Sequence, residues 1–125
     1  MKIAITASEP QFEAKLEPRF GRCAYFMIVD TETQDWKPMQ NPAAEAMGGA
    51  GPQAAQFLAD QDVKAVISGD IGPNAYTALE AAGIDMYRAQ VEQISTLLEK
   101  FLTNQLEQVS GPTSPQRHGG RGPRG

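Results

Sequence analysis

Residues 63–87 read VKAVISGDIGPNAYTALEAAGIDMY, and this stretch decides the fold. The apolar run Val63–Ile67 stops at Ser68-Gly69-Asp70-Ile71-Gly72. Pro73 then opens a helical pattern running to Ala82, Gly83 closes it, and Ile84–Tyr87 reads as the next strand. Proline suits the first helical position, where its missing N–H costs nothing, and glycine suits the position just past a helix end. A strand–helix–strand unit of this length implies a right-handed crossover between parallel neighbours.

Working outward, the same design precedes it. Gly48-Gly49-Ala50-Gly51 leads into a helix expected over Pro52–Gln61, again opened by proline. Before that lie three strand-like runs, Lys2–Ala7, Ala24–Asp30 and Trp36–Gln40, the last carrying Pro38 and so suited to a sheet edge. After residue 87, Val91, Ile94, Leu97, Leu98, Phe101 and Leu102 recur at helical spacing, predicting a third helix over Val91–Leu106. The order is β-β-β-α-β-α-β-α. A meander of the first three strands followed by parallel crossovers predicts a five-stranded mixed sheet ordered 3-2-1-4-5. In it strand two is antiparallel and helices cover the faces, a three-layer α/β/α arrangement.

That topology has a consequence for function. Strands one, three and four end at one edge of the sheet, and strand two begins there. Three glycine-bearing loops meet at this edge: Arg19-Phe20-Gly21-Arg22-Cys23, Gly48–Gly51 and Gly69–Asn74. Helix starts expose unpaired N–H groups and a partial positive charge, so two of them beside an arginine loop are expected to hold an anion. Ligands of open α/β sheets favour the carboxyl ends of strands.

Bulk properties narrow the class. The 125 residues suit a single domain, and 41% apolar content is ordinary for a globular protein. No apolar run approaches the roughly 20 residues that span a bilayer, and the start lacks the layout of a secretion signal. A cytoplasmic location is the default expectation. Cys23 is the only cysteine, which excludes an internal disulfide and a classical four-cysteine cluster site. Net charge is −4, but Arg117, Arg121 and Arg124 lie in an acid-free tail, so the remaining 8 basic residues face all 15 acids and residues 1–109 carry −7. Such a body is unsuited to duplex nucleic acid. The expected organisation is an α/β domain over 1–106 and a disordered basic Gly/Pro/Arg tail over 107–125.

The pieces Glu17–Cys23, the strand Tyr25–Asp30, Gly49–Gly51 with Gln53-Ala54-Ala55, and Ser68–Ala75 with Ala81-Ala82-Gly83-Ile84 together resemble the dinitrogenase iron–molybdenum cofactor biosynthesis family. Its members include nitrogenase accessory factor-like and orange-protein-like proteins. The resemblance spans about residues 1–104. It implies a ribonuclease H-like fold and non-catalytic binding, carriage or storage of iron–sulfur or molybdenum/iron–sulfur clusters or their precursors. It also implies a metal–sulfur cluster or thiometalate as the guest, with a cluster-donor or acceptor protein as partner. Members exist without any nitrogenase, so that link is not carried over. Some members end in histidine- or charge-rich tails, whereas this chain has one tail histidine.

The residues expected to meet such a guest are Arg19, Gly21, Arg22, Gly48, Gly49, Gly51, Gly69, Gly72 and Asn74. Arginine offers fixed donors to an anion without binding metal itself; its bland alternative is pairing with Glu17 or Asp70. The glycines admit a guest to backbone N–H groups, or merely serve tight turns. Cys23 offers a thiolate to metal, or is a small buried hydrophobe. His118 offers a weak tail ligand, and Met39, Met47 and Met86 offer soft thioethers or core filling. Homo-oligomers assembled through tail or cluster are a further expectation.

Two other classes carry less. A nuclease would need clustered carboxylates for two metal ions, and strand one carries none; the only histidine lies in the tail, so no Ser-His-Asp set exists. The alternative to a cluster carrier is a small-anion-binding or protein-interaction regulatory module without metal.

Overall fold

The structure, a computed structural model, describes residues 1–111. The elements run β1 (Lys2–Ala7), β2 (Tyr25–Asp30), β3 (Trp36–Gln40), α1 (Ala50–Asp60), β4 (Val63–Ser68), α2 (Pro73–Ala81), β5 (Asp85–Arg88), α3 (Ile94–Leu102) and β6 (Glu107–Gln108). They form one mixed sheet in the order β3-β2-β1-β4-β5-β6. β2 is antiparallel to β1 and β3, whereas β4 runs parallel to β1 and β5. The predicted order 3-2-1-4-5 is therefore present, with β3 and its Pro38 at an edge.

Alternation along the strands divides the core. Ile3, Ile5, Met27, Val29, Ala65 and Ile67 face Ile94, Leu97 and Leu98 of α3. Ala4, Phe26, Ile28 and Val66 face Ala54, Ala55 and Leu58 of α1 and Ala75 and Leu79 of α2. The sheet is thus covered on both sides, which is why its central strands read as nearly continuous apolar runs.

Three boundaries depart from expectation, each for a local reason. The sheet has six strands rather than five. β6 pairs antiparallel with β5, Val109 N–H donates to Met86 O at 2.7 Å, and Val109 packs on the α1/α2 side of the core. Residues 107–109 therefore join the sheet and its core; residues 112–125 lie outside the described residues. Helix α3 is shorter than Val91–Leu106. At its start, Leu16 N–H bonds Glu92 O, while Ile94 and Ser95 N–H donate to Ala14 O and Phe12 O, so the 12–16 segment claims this stretch. At its end, Asn104 adopts φ +60°, which stops the helix. Helix α1 begins two residues before Pro52, at Ala50, because Gly49 takes φ +71° at its N-cap.

Candidate functional site

The loops at the carboxyl edge of the sheet are fixed by buried polar groups. Thr6 and Ser68, both fully buried, sit at the ends of the paired strands β1 and β4. The Thr6 hydroxyl lies 2.7 Å from Glu17 O and 3.3 Å from Ser68 Oγ, and Ser68 Oγ lies 3.4 Å from Pro18 O. The chain at 17–18 is thereby tied to the sheet. Asp70 N–H donates to Pro18 O at 2.6 Å and Phe20 N–H to Asp70 O at 3.3 Å, joining the arginine loop to the β4–α2 loop. Asn41, 6% exposed, does the same on the other side. Its Nδ2 donates to Gly21 O at 3.1 Å and Cys23 O at 2.9 Å, while its Oδ1 accepts from Ala43 N–H.

Held this way, the three loops meet. An open cleft of about 350 Å³ is lined by Arg19–Arg22 from the first, Ala50 and Gly51 from the second, and Asp70 with Gly72–Ala75 from the third. The first turns of α1 and α2 form two of its walls, and no side chain caps either helix. Glycine is required where backbones touch. A Cβ on Gly21 would lie 2.9 Å from Gly51 N, and one on Gly51 would lie 2.8 Å from Ala75 Cβ. Glycine at 21 thus lets the arginine loop lie against the start of α1, and glycine at 51 lets the two helix starts approach. Beside Gly72 there is open space.

The expected residues divide as follows. Arg19, Gly21, Arg22, Gly51, Gly72 and Asn74 line the cleft. Gly48 and Gly49 lead into it, with Gly49 as the N-cap of α1. Gly69 does not face it; a Cβ there would lie 2.8 Å from Pro18 Cα, so this glycine serves loop contact. It borders a larger neighbouring cleft of about 800 Å³, which also takes in Arg88 and Lys100. Cys23 is fully buried among Phe20, Phe26 and Ala43, and burial pushes its thiol up to about 12. It packs as a small core side chain and does not line the cleft. Met86 is core and Met39 packs against it, whereas Met47 is wholly exposed. His118 lies outside the described residues. Among the described residues no group of three His, Cys, Asp or Glu side chains is placed to hold a metal ion.

The two arginines differ in what holds them. Arg19 Nε lies 3.2 Å from Glu17 Oε2, and that hydrogen bond raises the guanidinium pKa. Arg22 meets no carboxylate among the described residues; its Nη1 donates to Ala44 O and Ala46 O. Asp70 pairs with neither, its carboxylate standing 3.9 Å from Arg88 Nη2. The lining therefore carries two cations against one carboxylate, with two helix starts added, on an otherwise acidic body. Helix starts and guanidinium groups are N–H donors of the kind from which anions accept. Sequence reasoning missed Asn41 and Thr6, since one polar residue at a strand end carries no pattern.

Among the described residues no helix is long and apolar enough to cross a membrane. The family model described as dinitrogenase iron-molybdenum cofactor matches residues 1–104. An uncharacterized protein of Methanocaldococcus jannaschii is 38% identical over 110 residues, covering 86% of this chain and 90% of the relative. The apo form of the orange protein of Desulfovibrio gigas superposes with a TM-score of 0.87 at 35% identity, covering 90% of this chain and 96% of that one. A NifB-like protein of Thermotoga superposes with a TM-score of 0.79 at 30% identity, covering 94% and 98%. The chain belongs to the dinitrogenase iron–molybdenum cofactor family.

Proposed function

We propose that the protein binds, carries or stores an anionic metal–sulfur species, an iron–sulfur or molybdenum/iron–sulfur cluster or a thiometalate precursor, without catalysing a reaction. The observation that carries this reading is the convergence of Arg22, Gly51 and Gly72 on one cleft. The cleft supplies N–H donors and positive charge but no thiolate, since Cys23 is buried. A guest whose metal is already satisfied by its own sulfides needs no protein ligand. Its sulfur atoms accept hydrogen bonds from amides and guanidinium. Family membership supports the same class of guest.

The test is anaerobic incubation with tetrathiomolybdate, or with iron and sulfide, followed by desalting. Retained visible charge-transfer bands support the reading, and their loss refutes it. The cleft also suits a tetrahedral oxyanion, because helix-start amides do not distinguish oxygen from sulfur acceptors by charge alone. A small-anion-binding regulatory module is therefore the second reading. Heat released on titration with phosphate, together with no metal uptake, would favour it.

A further inference from the structure

Arg22 lines the cleft and also reaches the connection between β3 and α1. Its Nη1 donates to Ala44 O and Ala46 O, while among the described residues Nε and Nη2 donate to none. The guanidinium is planar, so the orientation of one edge sets the orientation of the other. Ala44 and Ala46 belong to the 41–49 connection between β3 and α1. That connection is held internally by two turn bonds, Ala44 N–H to Asn41 O and Ala46 N–H to Ala43 O, and by the bond from Ala43 N–H to Asn41 Oδ1 at its start. Its far end is Gly49, the N-cap of the helix whose first turn walls the cleft. Met47, on the same connection, is wholly exposed and so contributes nothing to hold it.

From this we infer that Arg22 is a positioning residue that couples occupancy of the cleft to order in the 43–47 loop. An anion that accepts from Nε and Nη2 fixes the guanidinium plane, and the fixed plane holds the two carbonyls on its opposite edge. The guest thereby tightens the loop and, through Gly49, the entry of α1. Among the described residues, Arg22 is the one cleft side chain that donates a hydrogen bond to this loop. Arg19 cannot play the part, because its Nε is already held by Glu17. The inference rests on the anion-binding reading above.

Amide hydrogen exchange and amide NMR shifts at Ala44 and Ala46 test it, with tetrathiomolybdate as the probe and absorbance after desalting as a separate measure of binding. In the guest-free protein, Arg22→Gln should speed exchange at both amides about tenfold, the effect of losing the two charge-assisted bonds on local opening. With tetrathiomolybdate bound, the parent protein should exchange more slowly still at these amides, and Arg22→Lys should retain some binding but lose the loop response, since lysine has no second edge. A loop that loosens on binding, or one that responds equally in the lysine variant, overturns the coupling. Failure of the anion to bind overturns it together with the reading it rests on. Absorbance separates that case from binding without a loop response, which overturns the coupling alone.

Discussion

Replacing Gly21 by alanine tests the backbone junction on which the cleft depends. The added Cβ would stand 2.9 Å from Gly51 N and 3.1 Å from both Ala50 C and Gly51 Cα, all backbone atoms of a helix start. None of these is the free end of a side chain, so relief requires moving the loop or the helix. Overpacking of this kind costs about 1–3 kcal/mol, and the lower unfolded-chain entropy of alanine returns about 0.4–1 kcal/mol. The expected net loss is roughly 1–2 kcal/mol, a fall in Tm of roughly 4–10 °C for a domain near 110 residues. Gly72→Ala is the matched control. Gly72 has open space beside it and sits at φ −72°, ψ 173°, which any residue adopts. That variant should match or slightly exceed the parent in stability. Urea unfolding with unchanged m-values gives both numbers. Gly21→Ala should also weaken tetrathiomolybdate binding, because relief of the clash displaces two segments that line the cleft. An alanine at 21 that leaves both the midpoint and the binding intact would refute the close approach of these loops.

Cys23 should be inert to iodoacetamide in the native state at pH 8 and react only on unfolding, because only the thiolate attacks and burial holds the thiol up at about 12. Its folded pKa lies above the ordinary value of 9.0, so the unfolded state loses this proton first; stability should fall as pH rises from about 9 towards 12, and Cys23→Ala should remove that part of the slope, as read by urea midpoints across pH. Arg19→Gln should weaken tetrathiomolybdate binding by less than about twofold, since Glu17 already offsets that charge at an exposed site, and titration by absorbance checks it. Asp70→Asn removes the one carboxylate in the cleft and should tighten binding of the same anion roughly two- to fivefold at low salt, with the gain shrinking as salt is added.

Much of the fold could be read from periodicity because the elements that matter are bounded by glycine and proline. Pro73 and Gly83 frame α2, and Pro38 marks the edge strand. What escaped reading was decided by partners distant in sequence. β6 is two polar residues, Glu107 and Gln108, with no pattern of their own; they form a strand because β5 offers an open edge. The start of α3 is set by bonds from the 12–16 segment, which no local signal announces. The meeting of Arg22, Gly51 and Gly72 followed from topology, since strand ends at one edge must bring their loops together. Burial of Cys23 did not follow, because a thiol beside an arginine reads equally as ligand or as core. The same holds for Gly69, whose need is a backbone neighbour 51 residues away, Pro18.

Amide NMR titration of the anaerobic protein with tetrathiomolybdate addresses the central claim most directly. Binding at the cleft should shift the amides of Arg19–Arg22, Ala50, Gly51, Asn74 and Ala75 in one saturable event. No saturable shift, or shifts gathered around Arg88 and Lys100 in the neighbouring larger cleft, would contradict it.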